Sequence, residues 1–380
     1  MKVVELRWTP YALPFAAGVA TAHGAWSARE GAIVQLRTGD GAIGAGDVAP
    51  LPSHGTADIA ACLALLDDIA PRLLGAPIDD VLSRLDALIP DDAHFAPLRC
   101  ALESAVLDAT ARGAGVSVAR LLMADPLRAV WPARHVAVNA LVDAASCAAA
   151  AAAAARARAA GFRDIKLKVG MAASIAGETA RVAAVREVAG PAVRLRLDAN
   201  GAWTEEQAVA CIRALEPCAI DLVEQPIPPG EVAALRRVRE AVRVPVAADE
   251  SAAGLAAVRA LIDAGAVDAV VVKLPVAGGP RRAREMVELA TATGVASVVT
   301  SAFESGVGVA AALQLAATLP QPARACGLAT LDLLADDLIV EPLRVVGGRM
   351  ALPGAPGIGV TVDAPALARY AAGAERVVRA

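Results

Sequence analysis

The stretch from Arg163 to Lys273 decides the fold. It opens on Arg163-Asp-Ile-Lys166-Leu-Lys168 and runs through Val193-Arg-Leu-Arg196-Leu-Asp198, Asp221-Leu-Val-Glu224 and Val246-Ala-Ala-Asp249 to Ala269-Val-Val-Val-Lys273. Each segment is a short apolar run that ends on a charged side chain, and from Lys168 onward the endings recur after 30, 26, 25 and 24 residues. A step of that size holds a strand, a turn and a returning helix, the unit of a parallel sheet. Repeated units predict a barrel, whose chemistry sits at the C-terminal ends of its strands. Three lysines (Lys166, Lys168, Lys273) and three acids (Asp198, Glu224, Asp249) are therefore expected around one mouth.

Outward from there the alternation continues. His135–Leu141 predicts a first strand and Asp143–Ala160 its helix; Asp164–Val169, Val193–Asp198, Ala219–Glu224, Pro245–Asp249 and Ala269–Lys273 follow as strands. Val295–Ser301 would be the seventh strand and Gly327–Ala329 a short eighth. Amphipathic periods predict helices over Glu205–Leu215, Val232–Val242, Gly254–Ala264, Pro280–Thr293 and Val307–Leu319. Upstream the pattern differs. Val3–Trp8, Gly31–Leu36 and Ala42–Gly46 read as strands, with Gly39-Asp-Gly41 as a hairpin signal, and residues 57–113 turn helical. Strands followed by helices make an α+β unit, distinct from the alternation downstream. A boundary is expected at Leu127–His135, where Pro126 and Pro132 break the pattern. The tail after Asp337 has no place left in a barrel and is assigned to the N-terminal unit. Residues 1–130, completed by 338–380, then form one domain and residues 131–337 the barrel.

The 380 residues are 56% hydrophobic and 20% charged, which predicts a compact globule, and the formal charge of −4 gives no reason to expect nucleic acid as a partner. Six cysteines without a CxxC pair suit free thiols in a reducing cytoplasm. The N-terminus lacks the apolar run of a signal peptide, and the alanine tract Ala148–Ala155 is too short to cross a bilayer. A cytoplasmic protein with no membrane partner is expected.

Lys166 and Lys168 are two apart on a strand, so both side chains share one face, where each ammonium would lower the other's affinity for a proton. Lone lysines at a strand end are ordinarily just solvated; acids at the same level change that reading. Asp198, Glu224 and Asp249 come from three successive strands, and buried like charges need a cation or a proton. Three oxygen donors suit a hard ion, Mg²⁺ or alternatively Mn²⁺; the rival account makes them salt-bridge partners of the lysines. Asn200, Glu250 and Arg196 stand beside these acids in sequence and are expected to orient them. A lysine on each side of a metal suits removal of the proton α to the carboxylate of a small-molecule substrate.

These residues also carry a resemblance. Lys166-Leu-Lys168, Leu197-Asp-Ala-Asn-Gly-Ala-Trp203, Val223-Glu-Gln-Pro226, Ala248-Asp-Glu-Ser251 and Val272-Lys273 resemble the muconate-lactonising subgroup of the enolase superfamily. The resemblance implies a modified (β/α)7β TIM barrel under an α+β cap made by both termini, and homo-oligomers. It also implies Asp198, Glu224 and Asp249 as metal ligands, Lys168 and Lys273 as acid/base lysines, and Lys166 as the lysine that tunes its neighbour.

Within that group, Ala28-Arg-Glu-Gly31, Gly44–Pro52, Thr300–Gly308 and Gly327–Leu334 resemble o-succinylbenzoate synthases of menaquinone biosynthesis, with Asp47 standing where relatives often have Glu. The resemblance implies a dehydration of 2-succinyl-6-hydroxy-2,4-cyclohexadiene-1-carboxylate, with Ser301, Ser305 and Gly306 near the succinyl group. A plain strand-seven turn accounts for them equally well. The cap segments Phe15–Trp26 and Leu51–Gly55, the latter with Ser53 and His54, should cover the mouth; His54 reads more readily as a loop histidine than as a catalyst. Epimerases or N-acylamino-acid racemases and muconate-type cycloisomerases remain open, since one site serves all of them. Dipeptide epimerases usually carry an Asp-x-Asp near strand eight, and Leu328–Asp332 offers one acid. A Schiff-base aldolase using Lys273, or a non-catalytic metal-stabilised barrel, would leave more of these residues unexplained.

Overall fold

The computed structural model describes residues 1–21, 24–90, 93–123 and 131–380. Part of the boundary expected at Leu127–His135, with Pro126, and part of the cap segment Phe15–Trp26 fall outside the described residues.

The chain begins with an antiparallel sheet of β1 (Val3–Thr21), β2 (Gly24–Thr38) and β3 (Ile43–Val48). The hairpin runs well beyond the expected end at Trp8, through Pro10 and Pro14. Both prolines share the parity of Ala12, whose N–H turns away from β2 to the carbonyl of Tyr370. Their missing N–H groups therefore face the edge of the strand, where no ladder bond is lost. Four helices follow: α1 (Ile59–Leu73), α2 (Ile78–Leu88), α3 (Ala96–Gly113) and α4 (Val118–Leu122). α3 is buried along almost its whole length beneath β3. The approach is close because Gly44 and Gly46 have no side chain; a Cβ on either would fall 1.9 Å from the carbonyl oxygen of Ala105 or Ala101. A separate apolar core, with Leu6, Leu36, Leu66, Leu85 and Leu102, fills the space between sheet and helices.

The expected first barrel strand is split. β4 (His135–Ala137) pairs elsewhere, and β5 (Ala140–Val142) enters the barrel. Then come α5 (Cys147–Ala159), β6 (Asp164–Lys168), α6 (Ile175–Ala189), β7 (Arg194–Asp198), α7 (Glu205–Leu215), β8 (Ile220–Glu224), α8 (Val232–Ala241), β9 (Val246–Ala248), α9 (Leu255–Asp263) and β10 (Ala269–Lys273). A short α10 (Leu274–Ala277), α11 (Pro280–Ala292), β11 (Ala296–Thr300) and α12 (Gly306–Ala316) complete the series. α6, started by a Ser174 side-chain cap, and the short α10 have no counterpart among the expected helices.

β5 to β11 form one parallel sheet in chain order. Cys326 and Gly327 close the ring: Cys326 bridges to Val138 and Gly327 to Thr300, both in parallel sense. The eighth strand is thus reduced to a pair of bridges, and the fold is a (β/α)7β barrel with an N-terminal cap.

The tail divides. β12 (Val345–Val346) and β13 (Arg349–Ala351) form a small sheet with β4, α13 (Ala364–Arg369) follows, and only β14 (Arg376–Arg379) joins β1 at the edge of the cap sheet. The expectation that the whole tail packs on the N-terminal unit is corrected for β12 and β13. The free edge of β4 captures them, after the chain changes partner at Val138 and Asn139.

Candidate active site

The barrel register brings the charged strand ends level: Lys168 lies beside Asp198, and Asp198 beside Glu224. Asp198, Glu224 and Asp249 are all buried. Lys166 Nζ stands 2.9 Å from both Asp198 Oδ2 and Glu224 Oε1. Across the mouth, Lys273 Nζ is 2.6 Å from Asp249 Oδ2 and 2.8 Å from His54 Nε2. Asn200 donates from Nδ2 to Glu250 Oε1 at 3.1 Å, and its backbone N–H to Asp198 Oδ1 at 3.1 Å.

Gln225 has no assigned role in the sequence reading, yet it braces the acid-bearing turns. It is buried at positive φ beside Glu224, and its Oε1 accepts from the backbone N–H of Asp249 at 3.0 Å and of Ser251 at 3.1 Å. It therefore fixes one acid-bearing turn against the next. The signal was its place in the motif Val223-Glu-Gln-Pro226.

Electrostatics follow from this crowding. Burial and then the neighbouring Asp198 push the Glu224 carboxyl up to about 8, and burial with Asp249 pushes Glu250 up to about 7. Burial alone would lower Lys166, but Asp198 and Glu224 outweigh it and raise it. The mutual lowering expected of paired ammonium groups is therefore reversed at Lys166, because its near neighbours are acids. Burial likewise opposes ionisation of Asp249 and Lys273, yet each holds the other's charge, so Asp249 is lowered and Lys273 raised.

Lys166, Lys168, Asp198, Asn200, Asp249, Glu250 and Lys273 open into one cavity with about 880 Å³ of empty space, the open solvent at its mouth included. Its outer wall comes from cap and barrel together: Trp26, Leu51, Ser53 and His54 on one side, Asn139, Leu141, Thr300, Ser301, Ala302, Phe303 and Thr330 on the other. Phe303, at φ +62°, places its ring edge-on to Phe15 and Trp26 at 6.0 and 6.2 Å.

The other candidates divide. Ser301 lines the cavity, with Oγ 2.6 Å from Thr330 Oγ1, and Ser53 Oγ is 3.2 Å from His54 Nδ1. Ser305 turns away to Asp47, donating from N and Oγ at 3.0 and 2.7 Å, and the N–H of Gly306 goes to Asp337 Oδ1 at 2.7 Å. Carboxylates from the cap (Asp47) and from the end of the barrel segment (Asp337) thus satisfy the start of α12, and neither Ser305 nor Gly306 lines the cavity. Arg196 lies deeper in the barrel, donating to the Ala325 carbonyl at 2.6 Å and facing Asp164 at 3.5 Å.

The residues fit a divalent cation. Burial and Asp198 raise Glu224 even with Lys166 beside it, so the acids outnumber the lysine among them, and Glu250 Oε2 is buried without a hydrogen-bond partner. Ligand atoms of His54, Asp249 and Glu250 lie within 4.8 Å of one another, so His54 joins the neighbourhood of the acids.

Residues 148–366 match the family described as enolase C-terminal domain-like, and residues 3–123 match the mandelate racemase / muconate lactonizing enzyme N-terminal domain. An o-succinylbenzoate synthase of Thermobifida fusca is 43% identical over 222 residues, 57% of this chain and 68% of that protein. The L-Ala-D/L-Glu epimerase of Bacillus subtilis is 30% identical over 369 residues, 95% and 97% of the two chains. The crystal structure of an N-succinyl Arg/Lys racemase from Bacillus cereus superposes with a TM-score of 0.91 over the whole of both chains at 22% identity, a likeness of fold. The protein is an enzyme of the enolase superfamily, in its mandelate racemase / muconate lactonizing enzyme branch.

Proposed function

We propose that this enzyme is an o-succinylbenzoate synthase that dehydrates 2-succinyl-6-hydroxy-2,4-cyclohexadiene-1-carboxylate, with residues 1–130 acting as its cap, joined by β14 from the tail. The carrying observation is the division of the cavity: among its described lining residues, every ionisable group belongs to the cluster at the barrel mouth or is His54, while the rest of the outer wall offers rings, aliphatic groups, hydroxyls and the Asn139 amide. That wall suits the diene ring, and its hydroxyls can meet the carboxylate at the end of the succinyl arm. It supplies no separate acid for the ammonium of a dipeptide; Asp332 is exposed and off the lining. The relative from Thermobifida fusca supports the same reading.

Asp198, Glu224 and Asp249 would hold Mg²⁺ or Mn²⁺, which when bound supplies positive charge for the substrate carboxylate. Lys168, as the free amine, takes the α-proton; the C–H bond breaks and its electron pair enters the enediolate. The ammonium so formed gives its proton to the departing hydroxyl, which leaves as water and completes the aromatic ring. Lys273 stays charged and faces the enediolate from the other side of the barrel, four strands from Lys168. Asn200 and Gln225 keep the acids in register.

Loss of the diene absorbance, fast with Mg²⁺ and abolished by EDTA, is the expected result. No dehydration, together with racemisation of N-succinyl amino acids or epimerisation of dipeptides, would replace this reading with the second one, which the epimerase relative favours.

A further inference from the structure

The register that sets Leu141 beside Lys166 and Val142 beside Leu167 brings the next residue, Asp143, level with Lys168. Its carboxylate Oδ2 stands 3.3 Å from Lys168 Nζ. Asn139 and Leu141, of the same parity, line the cavity; Asp143 does not, and its side chain is 31% exposed. Lys166 and Lys273 thus lean on the buried acids of the mouth, whereas Lys168 meets an acid that stands behind it.

A separate contact holds this pair in place. Arg181, on α6 and almost fully buried, donates from Nη1 to the carbonyl of Ala144 at 2.9 Å and from Nη2 to the carbonyl of Lys168 itself at 2.6 Å. Its Nε donates to Glu178 Oε1 at 3.0 Å, and Glu178 Oε2 accepts from the N–H of Gly170 at 2.9 Å. One buried ion pair therefore ties the backbone just after Asp143 to the backbone of Lys168 and the turn beyond it. A buried guanidinium is costly unless its donors are used, and here they are spent on joining two strand ends.

We propose that Asp143 is a positioning residue for Lys168, holding Nζ at the height and angle from which it meets the substrate α-carbon on one face. This rests on the reading of Lys168 as a proton acceptor. In that step the α-C–H bond breaks, the proton joins the Lys168 amine, and the electron pair remains on the substrate as the enediolate. Asp143 then faces the new ammonium while touching no substrate atom. Lys273, anchored on Asp249 and His54, has no such dependence, so the effect of Asp143 is confined to one face.

The test is α-proton exchange in deuterium oxide, with Mg²⁺, on the two enantiomers of an N-succinyl amino acid, each of which presents its proton to one lysine. Asp143→Asn should slow exchange of one enantiomer roughly ten-fold, the scale of losing one charged hydrogen bond, and leave the other within about two-fold, with KM unchanged. Asp143→Glu should restore part of the loss. Equal slowing of both enantiomers, or of neither, overturns the inference while leaving the two-lysine reading in place. If the unaltered enzyme exchanges neither enantiomer, the comparison moves to dehydration, where Asp143→Asn should lower kcat about ten-fold at unchanged KM with Asp143→Glu restoring part of it, and an unchanged kcat overturns the inference.

Discussion

His54 of the cap meets Lys273 of the barrel at 2.8 Å, Nε2 to Nζ. A histidine that reads as a loop residue thus stands within the charged cluster, because the turn Pro52–His54 folds over the mouth. His54→Ala is expected to lower kcat/KM about ten-fold, the cost of one charge-assisted hydrogen bond, without changing the melting temperature. His54→Gln should lose less. Steady-state kinetics beside thermal unfolding check this; wild-type kinetics in His54→Ala would make the contact incidental.

The acids predict how stability depends on pH when metal is absent. Glu224 and Glu250 are raised to about 8 and about 7 by burial first, and buried Glu304 likewise to about 7. A carboxyl raised in the folded state holds a proton that the unfolded chain has released, so stability falls as pH rises from the ordinary carboxylate range through the folded value. In EDTA the melting temperature should therefore fall between pH 5 and pH 8. Mg²⁺ should recover part of the loss at the upper end, because it binds the ionised acids. Asp198→Ala should abolish the response to Mg²⁺ in calorimetric titration; a retained response would contradict the ligand assignment.

The cap tests packing rather than charge. A Cβ at Gly46 would lie 1.9 Å from the Ala101 carbonyl oxygen on α3. Gly46→Val should destabilise the protein by about 3 kcal/mol, the upper range for overpacking, seen as an earlier unfolding midpoint in urea. A substitution without effect would mean that β3 and α3 can part easily.

Much of the barrel was legible because its charged strand ends recur at nearly even steps. Helices such as Glu205–Leu215 fall within three residues of their expected bounds. Pro10 and Pro14 concealed the length of β1, since sequence does not show that their missing N–H groups face the side of the strand away from β2. The split at Val138 was hidden because β4 gains its partner, β13, only from the distant tail. In the site, the shared face of Lys166 and Lys168 follows from strand parity and the level of the acids from the even steps of their strand ends, whereas the direction taken by Ser305 and Gly306 depends on Asp47 and Asp337 from elsewhere in the chain. Asp143 gave no signal, a lone acid after a strand being ordinarily solvated. Its meaning comes from register.

The proposed mechanism has Lys168 and Lys273 act on one substrate from two sides of the barrel. It is tested most directly by the dehydration rate of Lys168→Ala and Lys273→Ala at saturating Mg²⁺, with metal binding measured on the same preparations. Each variant should bind Mg²⁺ and keep its fold while losing roughly a thousand-fold or more in kcat, within the range for removal of a general acid–base group. Near wild-type turnover in either variant would contradict the account.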